Sequence, residues 1–191
     1  MKFEFSKCRG LVLEAILAEL DVGAGRFTPD NDSGEDKIAA SSVSGIGLDF
    51  SPWHRQLMLG LREQEKWDEA IRYRIGDWKY YPLNKPDFPP SLPQTAAAAD
   101  FAGDVYDSAA EMRPIEVAHL MFLAAAKALV DPAVTDRLQQ LGNDAPFITD
   151  DFPSSRVFEY VVTDGDESIA ANYCEIVIAN RLTNRLKSAM S

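Results

Sequence analysis

The chain has 191 residues, of which 46% are hydrophobic and 26% charged, and this balance excludes an intrinsically disordered protein. Its length suits one core of ordinary size, so we expect residues 1–191 to form a single globular domain. The formal net charge of −11 repels nucleic acid and anionic membranes and attracts basic partners.

The negative charge is concentrated in one segment. Residues 96–167 contain 14 acidic and 4 basic residues, a balance of −10, whereas residues 1–95 contain 15 and 12. Two interpretations follow from this asymmetry. The acidity either keeps the protein in solution or steers it onto a basic partner, and composition alone does not choose between them.

The two cysteines and the N-terminus indicate the cytoplasm. Cys8 and Cys174 lie far apart without metal-type spacing, which predicts two reduced, buried thiols. The N-terminus has a basic start and an apolar middle. Glu14 and Glu19 interrupt the apolar run, however, and no small-residue cleavage site follows. We therefore predict no signal peptide and a cytoplasmic protein.

The first predicted element is an amphipathic helix over residues 3–20. Its apolar face consists of Cys8, Leu11, Val12, Ala15, Ile16 and Leu20. Gly23 and Gly25 should end it, and a solvated loop should follow over residues 22–42. The stretch DNDSGEDK in that loop begins with the aspartate spacing of a calcium loop. Gly34 and Ser41 stand where further ligands are required, so no calcium site is predicted.

Between residues 43 and 81 the hydrophobic period changes to two. One strand is predicted over residues 43–50. A second covers residues 57–61, where leucines alternate with Met58 and Gly60 as in a half-buried strand. Residues 72–75 and 78–81 should supply one or two more strands. Parallel strands need long crossovers, and the connections here are short, so we expect an antiparallel meander.

The second half is predicted to be mainly helical. Helices are expected over residues 94–112, 114–130, 133–141 and 169–187, and a strand over residues 157–162. The helix 114–130 is apolar nearly all round, which indicates a buried helix with Phe122 and Leu123 fully buried. The predicted class is α+β. A small antiparallel sheet, mostly residues 43–81 plus a strand near 157–162, packs against several helices, with 114–130 as the buried core helix.

An acidic row is the sharpest feature of the helix 94–112. It consists of Asp100, Asp104, Asp107 and Glu111, which recur at i, i+4, i+7 and i+11 and therefore share one helix face. Like charges at this spacing destabilise an isolated helix by roughly 0.2–0.5 kcal/mol each. The row should therefore need a cation, a basic side chain or a partner to offset it. The alternatives are an ordinary solvated face, a docking surface for a basic partner, and a metal cluster, which no histidine is placed to complete.

Aromatic residues crowd into residues 53–88, where Trp78, Tyr80 and Tyr81 lie beside Arg72, Arg74 and Lys79. Such mixtures stack nucleic-acid bases, form hot spots of protein–protein interfaces, or cover the core of a sheet. The acidic remainder of the chain argues against nucleic acid. We therefore keep Trp78, Tyr80 and Tyr81 as candidate partner-binding residues, beside the alternative of core packing.

The sequence contains no complete catalytic or metal motif. Glu116 and His119 have the E-x-x-H spacing of di-iron proteins, but a second such pair is missing, so His119 is interpreted as a hydrogen-bonded core histidine. Nucleophile elbows and nucleotide-binding loops are also missing. We predict no catalytic residues, no metal site and no cofactor.

The sequence therefore predicts a non-enzymatic acidic binding protein. Its most concrete form is an inhibitor or immunity-type protein that neutralises a basic partner, such as a toxin domain. Two alternatives stay open. One is an enzyme of unrecognised type that uses carboxylates near His54 or His119, and the other is a scaffold subunit whose acidity is incidental. The sequence does not indicate the oligomeric state.

Overall fold

The computed structural model describes residues 3–28, 37–39, 43–63, 74–78, 80–83, 92–109, 114–141 and 159–163. Its helices are α1 (Phe5–Gly23), α2 (Pro93–Ala109), α3 (Pro114–Leu129) and α4 (Pro132–Leu141). Its strands are β1 (Phe27–Thr28), β2 (Ile38–Ala39), β3 (Val43–Ser51), β4 (Gln56–Glu63) and β5 (Glu159–Thr163). This confirms the α+β class. The predicted helix 169–187 lies outside the described residues.

The main sheet has three strands in the order β4-β3-β5. β3 and β4 form the predicted antiparallel hairpin, with Leu48 opposite Leu59. β5 instead runs parallel to β3, with Leu48 beside Val162, so the sheet is mixed rather than antiparallel. The reason is the connection: α2, α3 and α4 lie between the two strands in sequence, and such a long crossover permits parallel pairing.

The predicted strands near residues 72–75 and 78–81 do not form in the part of this segment that the structure describes. Ile75–Asp77 is a 3-10 helix, and Tyr80 makes one isolated bridge to Leu61. The apolar side chains of this segment cover the sheet instead of extending it. Ile75 and Trp78 pack with Val161 on the sheet face that lies away from the main core.

This cover explains why the alternation in β4 does not produce an exposed face. Gly47 and Gly60 pair across β3 and β4. A Cβ added at Gly47 would lie 2.6 Å from the Ile75 Cδ1 atom and 2.7 Å from the Trp78 ring, and one at Gly60 would lie 2.9 Å from the Ile75 Cγ2 atom. The two glycines thus make room for the covering side chains. Arg62, on the same strand, is also buried, at 3% exposure.

The buried core helix is confirmed in α3, which contacts α1, α2, β3 and β5. Its buried residues are Met121, Phe122, Ala124, Ala125, Ala126, Ala128 and Leu129. The small side chains let α1 approach closely. Leu123 is only half-buried, so the prediction of full burial was wrong for this residue. α3 is covered on most sides but keeps a partly open edge, to which Glu116 and Lys127 also belong.

Asp131 ends the α3 segment and starts α4, as the Asp-Pro pair predicts. Its Oδ1 atom accepts a hydrogen bond from the Ala133 backbone N–H at 3.0 Å, which satisfies a donor in the first turn of α4. Its Oδ2 atom pairs with the Arg9 guanidinium of α1. One carboxylate therefore ties α1 to the junction of α3 and α4.

The region predicted as a loop over residues 22–42 contains a short parallel pair. β1 and β2 match Phe27 with Ile38 and Thr28 with Ala39. Ile38 is fully buried, which gives this pair an apolar anchor. The DNDSGEDK stretch lies outside the described residues.

We expect Phe122→Ala to lower the free energy of unfolding by about 3–5 kcal/mol, because a fully packed aromatic ring leaves a cavity. Leu120→Ala is the matched control on the same helix, since Leu120 is 41% exposed and should change stability far less. Urea unfolding measures both. Equal losses for the two variants would contradict the placement of α3.

A glycine of the hairpin and a glycine of α1 give a second test. Gly47→Ala should destabilise the protein by about 1–3 kcal/mol, because the new methyl group overpacks against Ile75 and Trp78. Gly10→Ala should instead stabilise it by about 0.5–1 kcal/mol, since Gly10 lies inside α1 with nothing within 4 Å of an added Cβ. Thermal unfolding compares them, and a neutral Gly47→Ala would show that the cover over β3 is loose.

Candidate functional site

α2 presents three members of the acidic row on one exposed face. The side chains of Asp100, Asp104 and Asp107 are 67%, 72% and 64% exposed. The opposite face of α2 packs inward, through residues that are small or apolar: Ala98, Ala99, Ala102, Val105 and Ala109. Because α2 buries one face, its acidic row lies on the opposite, solvent-exposed face. Glu111, the fourth member, lies outside the described residues.

A basic side chain from elsewhere in the fold reaches this row. The Arg55 Nη1 atom donates a hydrogen bond to Asp104 Oδ1 at 2.8 Å, and its Nη2 atom donates to Asp107 Oδ2 at 2.7 Å. Nη1 also donates to the Asp100 backbone oxygen at 3.2 Å and lies 3.8 Å from Asp100 Oδ1. The row thus has one of the three forms of compensation that its spacing requires, a basic side chain.

Arg55 reaches α2 because the turn between β3 and β4 is fixed there. We call the 3-10 helix Pro52–His54 together with Arg55 the hairpin turn. The Trp53 ring centroid lies 5.8 Å from that of Tyr106 on α2 and 6.2 Å from that of Phe122 on α3. Arg55 follows with φ 51°, in the left-handed region, which reverses the chain into β4.

Gly103 leaves the space that the Arg55 side chain occupies on the surface of α2. A Cβ at this position would lie 2.5 Å from Arg55 Cγ and 2.9 Å from Cζ. A glycine in a helix interior costs about 0.5–1 kcal/mol relative to alanine, so α2 gives up some helix stability here. In return, the missing Cβ at position 103 allows the arginine side chain to lie directly against the helix surface.

The charges at this site do not cancel. The hydrogen bonds that Arg55 donates to Asp104 and Asp107 raise the pKa of Arg55, desolvation opposes them, and the charges of the two carboxylates raise it further, so the guanidinium stays charged. One cation faces three carboxylates, which leaves a formal excess of two negative charges. Among the described residues, Arg55 donates to a single oxygen of Asp104 and of Asp107. The site can therefore accept further hydrogen bonds from a basic group.

The three aromatic candidates lie away from this row. Trp78 and Tyr80 are 4% and 2% exposed, and Tyr81 is half-buried. Trp78 stacks against the Arg62 guanidinium at 5.5 Å, and the Tyr80 hydroxyl lies 3.3 Å from the Lys37 backbone oxygen. In this fold these rings cover the sheet, which is the packing alternative of the sequence. They add no exposed surface to the acidic row.

A polar pair that the sequence did not reveal joins Tyr81 to β3. The Tyr81 hydroxyl donates a hydrogen bond to Asp49 Oδ2 at 2.5 Å. Burial raises the pKa of Tyr81 above its usual range, and the Asp49 hydrogen bond and charge raise it further, while a hydrogen bond with Gln56 lowers it. The phenol therefore stays protonated and acts as a donor, which gives this pair a structural role. Two residues 32 positions apart carry no sequence signal of such a contact.

The histidines offer no metal site in the part of the chain that the structure describes. His54 is exposed and its ring lies 6.4 Å from Trp53. His119 and Glu116 are also exposed, so the interpretation of His119 as a core histidine was wrong. The reason is that His119 lies on the same face of α3 as Glu116, Leu120 and Lys127, which are exposed, whereas Val117 and Ala118 pack against the core. Among the described residues, no group of three or more His, Cys, Asp or Glu side chains converges as a metal site.

Cys8 has the properties of a packing residue. It is 1% exposed on the buried face of α1, and it is a free thiol. Burial raises its pKa from 9.0 to about 12, which keeps it protonated and unreactive at neutral pH. Cys174 lies outside the described residues.

Comparison with family models, curated proteins and solved structures finds no match for this chain. Among the helices that the structure describes, no single one is long and apolar enough to cross a membrane.

The burial of Cys8 predicts its reactivity. In a Cys174→Ser background, iodoacetamide at about pH 8 should leave the folded protein unlabelled and modify Cys8 only after urea unfolding, because the thiolate is the nucleophile. Mass spectrometry across a urea series reads out the fraction labelled. Modification in native buffer at the rate of a free cysteine peptide would contradict the packing of α1.

Proposed function

We propose that this protein is a non-enzymatic binding protein that docks a basic partner on the acidic face of α2. The observation that carries the proposal is the charge imbalance at Arg55: three carboxylates, each about two-thirds exposed, share one guanidinium. The excess is held in a defined geometry, because Arg55 orders carboxylates that would otherwise move independently. A preorganised anionic surface loses less conformational entropy when a cation binds.

The long-range field supports the same proposal. Residues 96–167 have a balance of −10, and the acidic row lies within this segment. Such a field steers a basic protein towards the surface and raises the association rate by roughly 10–10³-fold at low salt. The exposed carboxylates would then receive Lys or Arg side chains on the oxygens that Arg55 does not engage.

The partner class that fits is a protein with a basic surface. The most specific form is an inhibitor or immunity-type role, in which this chain covers the basic site of a toxin domain. A cytoplasmic location is part of this proposal, and the buried free thiol of Cys8 supports it. Two observations support a non-enzymatic role: the Tyr81 hydroxyl is engaged by Asp49, and the Cys8 thiol is buried.

Charge reversal tests this proposal. The double change Asp104→Lys and Asp107→Lys should slow association with the partner more than it speeds dissociation, because exposed charges act mainly through steering. A pull-down from the native host supplies the partner. Association kinetics at about 10 mM and 1 M salt then measure the effect, since the Debye length falls from about 30 Å to about 3 Å.

Glu14→Lys with Asp136→Lys is the matched control, because it changes the net charge equally at exposed positions on α1 and α4. It should slow association less than the reversal on α2. An acidic partner, or an on-rate that ignores both salt and the α2 substitutions, would refute the proposal.

A further inference from the structure

The Arg55 side chain lies across α2 in close contact with Gly103. Its Cγ atom passes over Gly103 at a distance that leaves no room for a methyl group, and its guanidinium ends on Asp104 and Asp107. Because the contact begins at Cγ, the whole side chain is involved and not only its flexible end. Either a larger residue at 103 or the loss of the carboxylates would displace it.

The interactions that hold the Arg55 side chain on α2 differ from those that hold the core. Arg55 is 40% exposed and its acidic partners more so, hence these ion pairs are weak individually and are screened by salt. Its backbone also lies in the left-handed region, which disfavours side chains other than Gly, Asn and Asp. By contrast, Phe50 and Phe122 are buried and apolar, so their contact is insensitive to salt.

We infer that Arg55 is an electrostatic latch, which holds the hairpin turn on α2 and opens without unfolding of the core. The closed state is the one observed, with the guanidinium on the acidic row. High ionic strength releases Arg55 and loosens the left-handed turn. The aromatic contacts of Trp53 then keep the turn near α2, so opening is local. This inference does not depend on the identity of any partner.

Amide hydrogen exchange followed by NMR tests the latch. The reporter is the Arg55 backbone N–H, which donates to the Pro52 carbonyl oxygen at 3.1 Å and loses this bond when the turn opens. In the unsubstituted protein, its protection factor should fall a few-fold between about 10 mM and 1 M salt, as the Debye length contracts below the size of the site. Protection of the Phe122 amide in α3 should stay unchanged.

Three variants test whether the ion pairs or the backbone conformation of Arg55 control the amide protection at position 55. Arg55→Asn removes the guanidinium but tolerates the left-handed conformation. It should lower protection at position 55 and abolish its salt dependence. Gly103→Ala should lower protection to the same level by displacing Arg55, and the double variant should show no further loss. Arg74→Asn is the matched control, since it breaks an exposed ion pair with Asp77 that lies away from α2.

Protection factors correct for the intrinsic exchange rate of each residue, and circular dichroism checks that each variant is folded. If a variant fails to fold, the salt series on the unsubstituted protein decides alone. Protection at Arg55 that is independent of salt, or a Gly103→Ala variant as protected as the unsubstituted protein, would overturn the latch. Loss of protection at Phe122 together with Arg55 would also overturn it, because opening would then be global.

Discussion

The packing of Phe122 against Phe50 is the contact on which the arrangement of this fold depends. The two rings meet edge to face, with centroids 5.9 Å apart, and they join the buried helix α3 to the central strand β3. Trp53 packs on the same Phe122 ring and on Tyr106. This aromatic cluster therefore fixes both the sheet against the helices and the hairpin turn against α2.

The ion pairs between Arg55 and the acidic row of α2 depend on these aromatic contacts. With the turn fixed, Arg55 lies within hydrogen-bond distance of Asp104 and Asp107, and Gly103 leaves the space for its side chain. The acidic row considered alone suggests that charge reversal would stabilise the helix. Arg55 changes this expectation, because Lys at 104 and 107 would repel the guanidinium and displace the Arg55 side chain from α2. We therefore expect the reversed protein to be less stable, not more stable.

The sequence predicted the elements that depend on local pattern. The α+β class, the β3–β4 hairpin and the four described helices all follow from hydrophobic period and from Pro114, Asp131 and Pro132. The parallel pairing of β5 was not predictable from turn lengths, since it depends on a crossover through three helices. Nor was the covering role of Ile75 and Trp78, because alternation in β4 does not show that a later segment buries its second face.

The candidate site was only half visible in the sequence. The i, i+4, i+7 spacing located Asp100, Asp104 and Asp107 on one helix face, because helix geometry is local. Their partner Arg55 is separated from Asp104 by 49 positions, and that contact depends on tertiary packing. A glycine in the middle of an acidic helix face was the one available signal. Gly103 lies within the continuous helix α2 at the point where a side chain from elsewhere crosses it.

A double-mutant cycle tests the central claim most directly, that Arg55 and the acidic row are energetically coupled through this geometry. Arg55→Met forms one arm, and Asp104→Asn with Asp107→Asn forms the other. Urea unfolding of the four proteins at about 10 mM and 1 M salt gives the coupling free energy. We predict favourable coupling at low salt that falls as salt screens the charges. Additive effects at low salt would contradict the account.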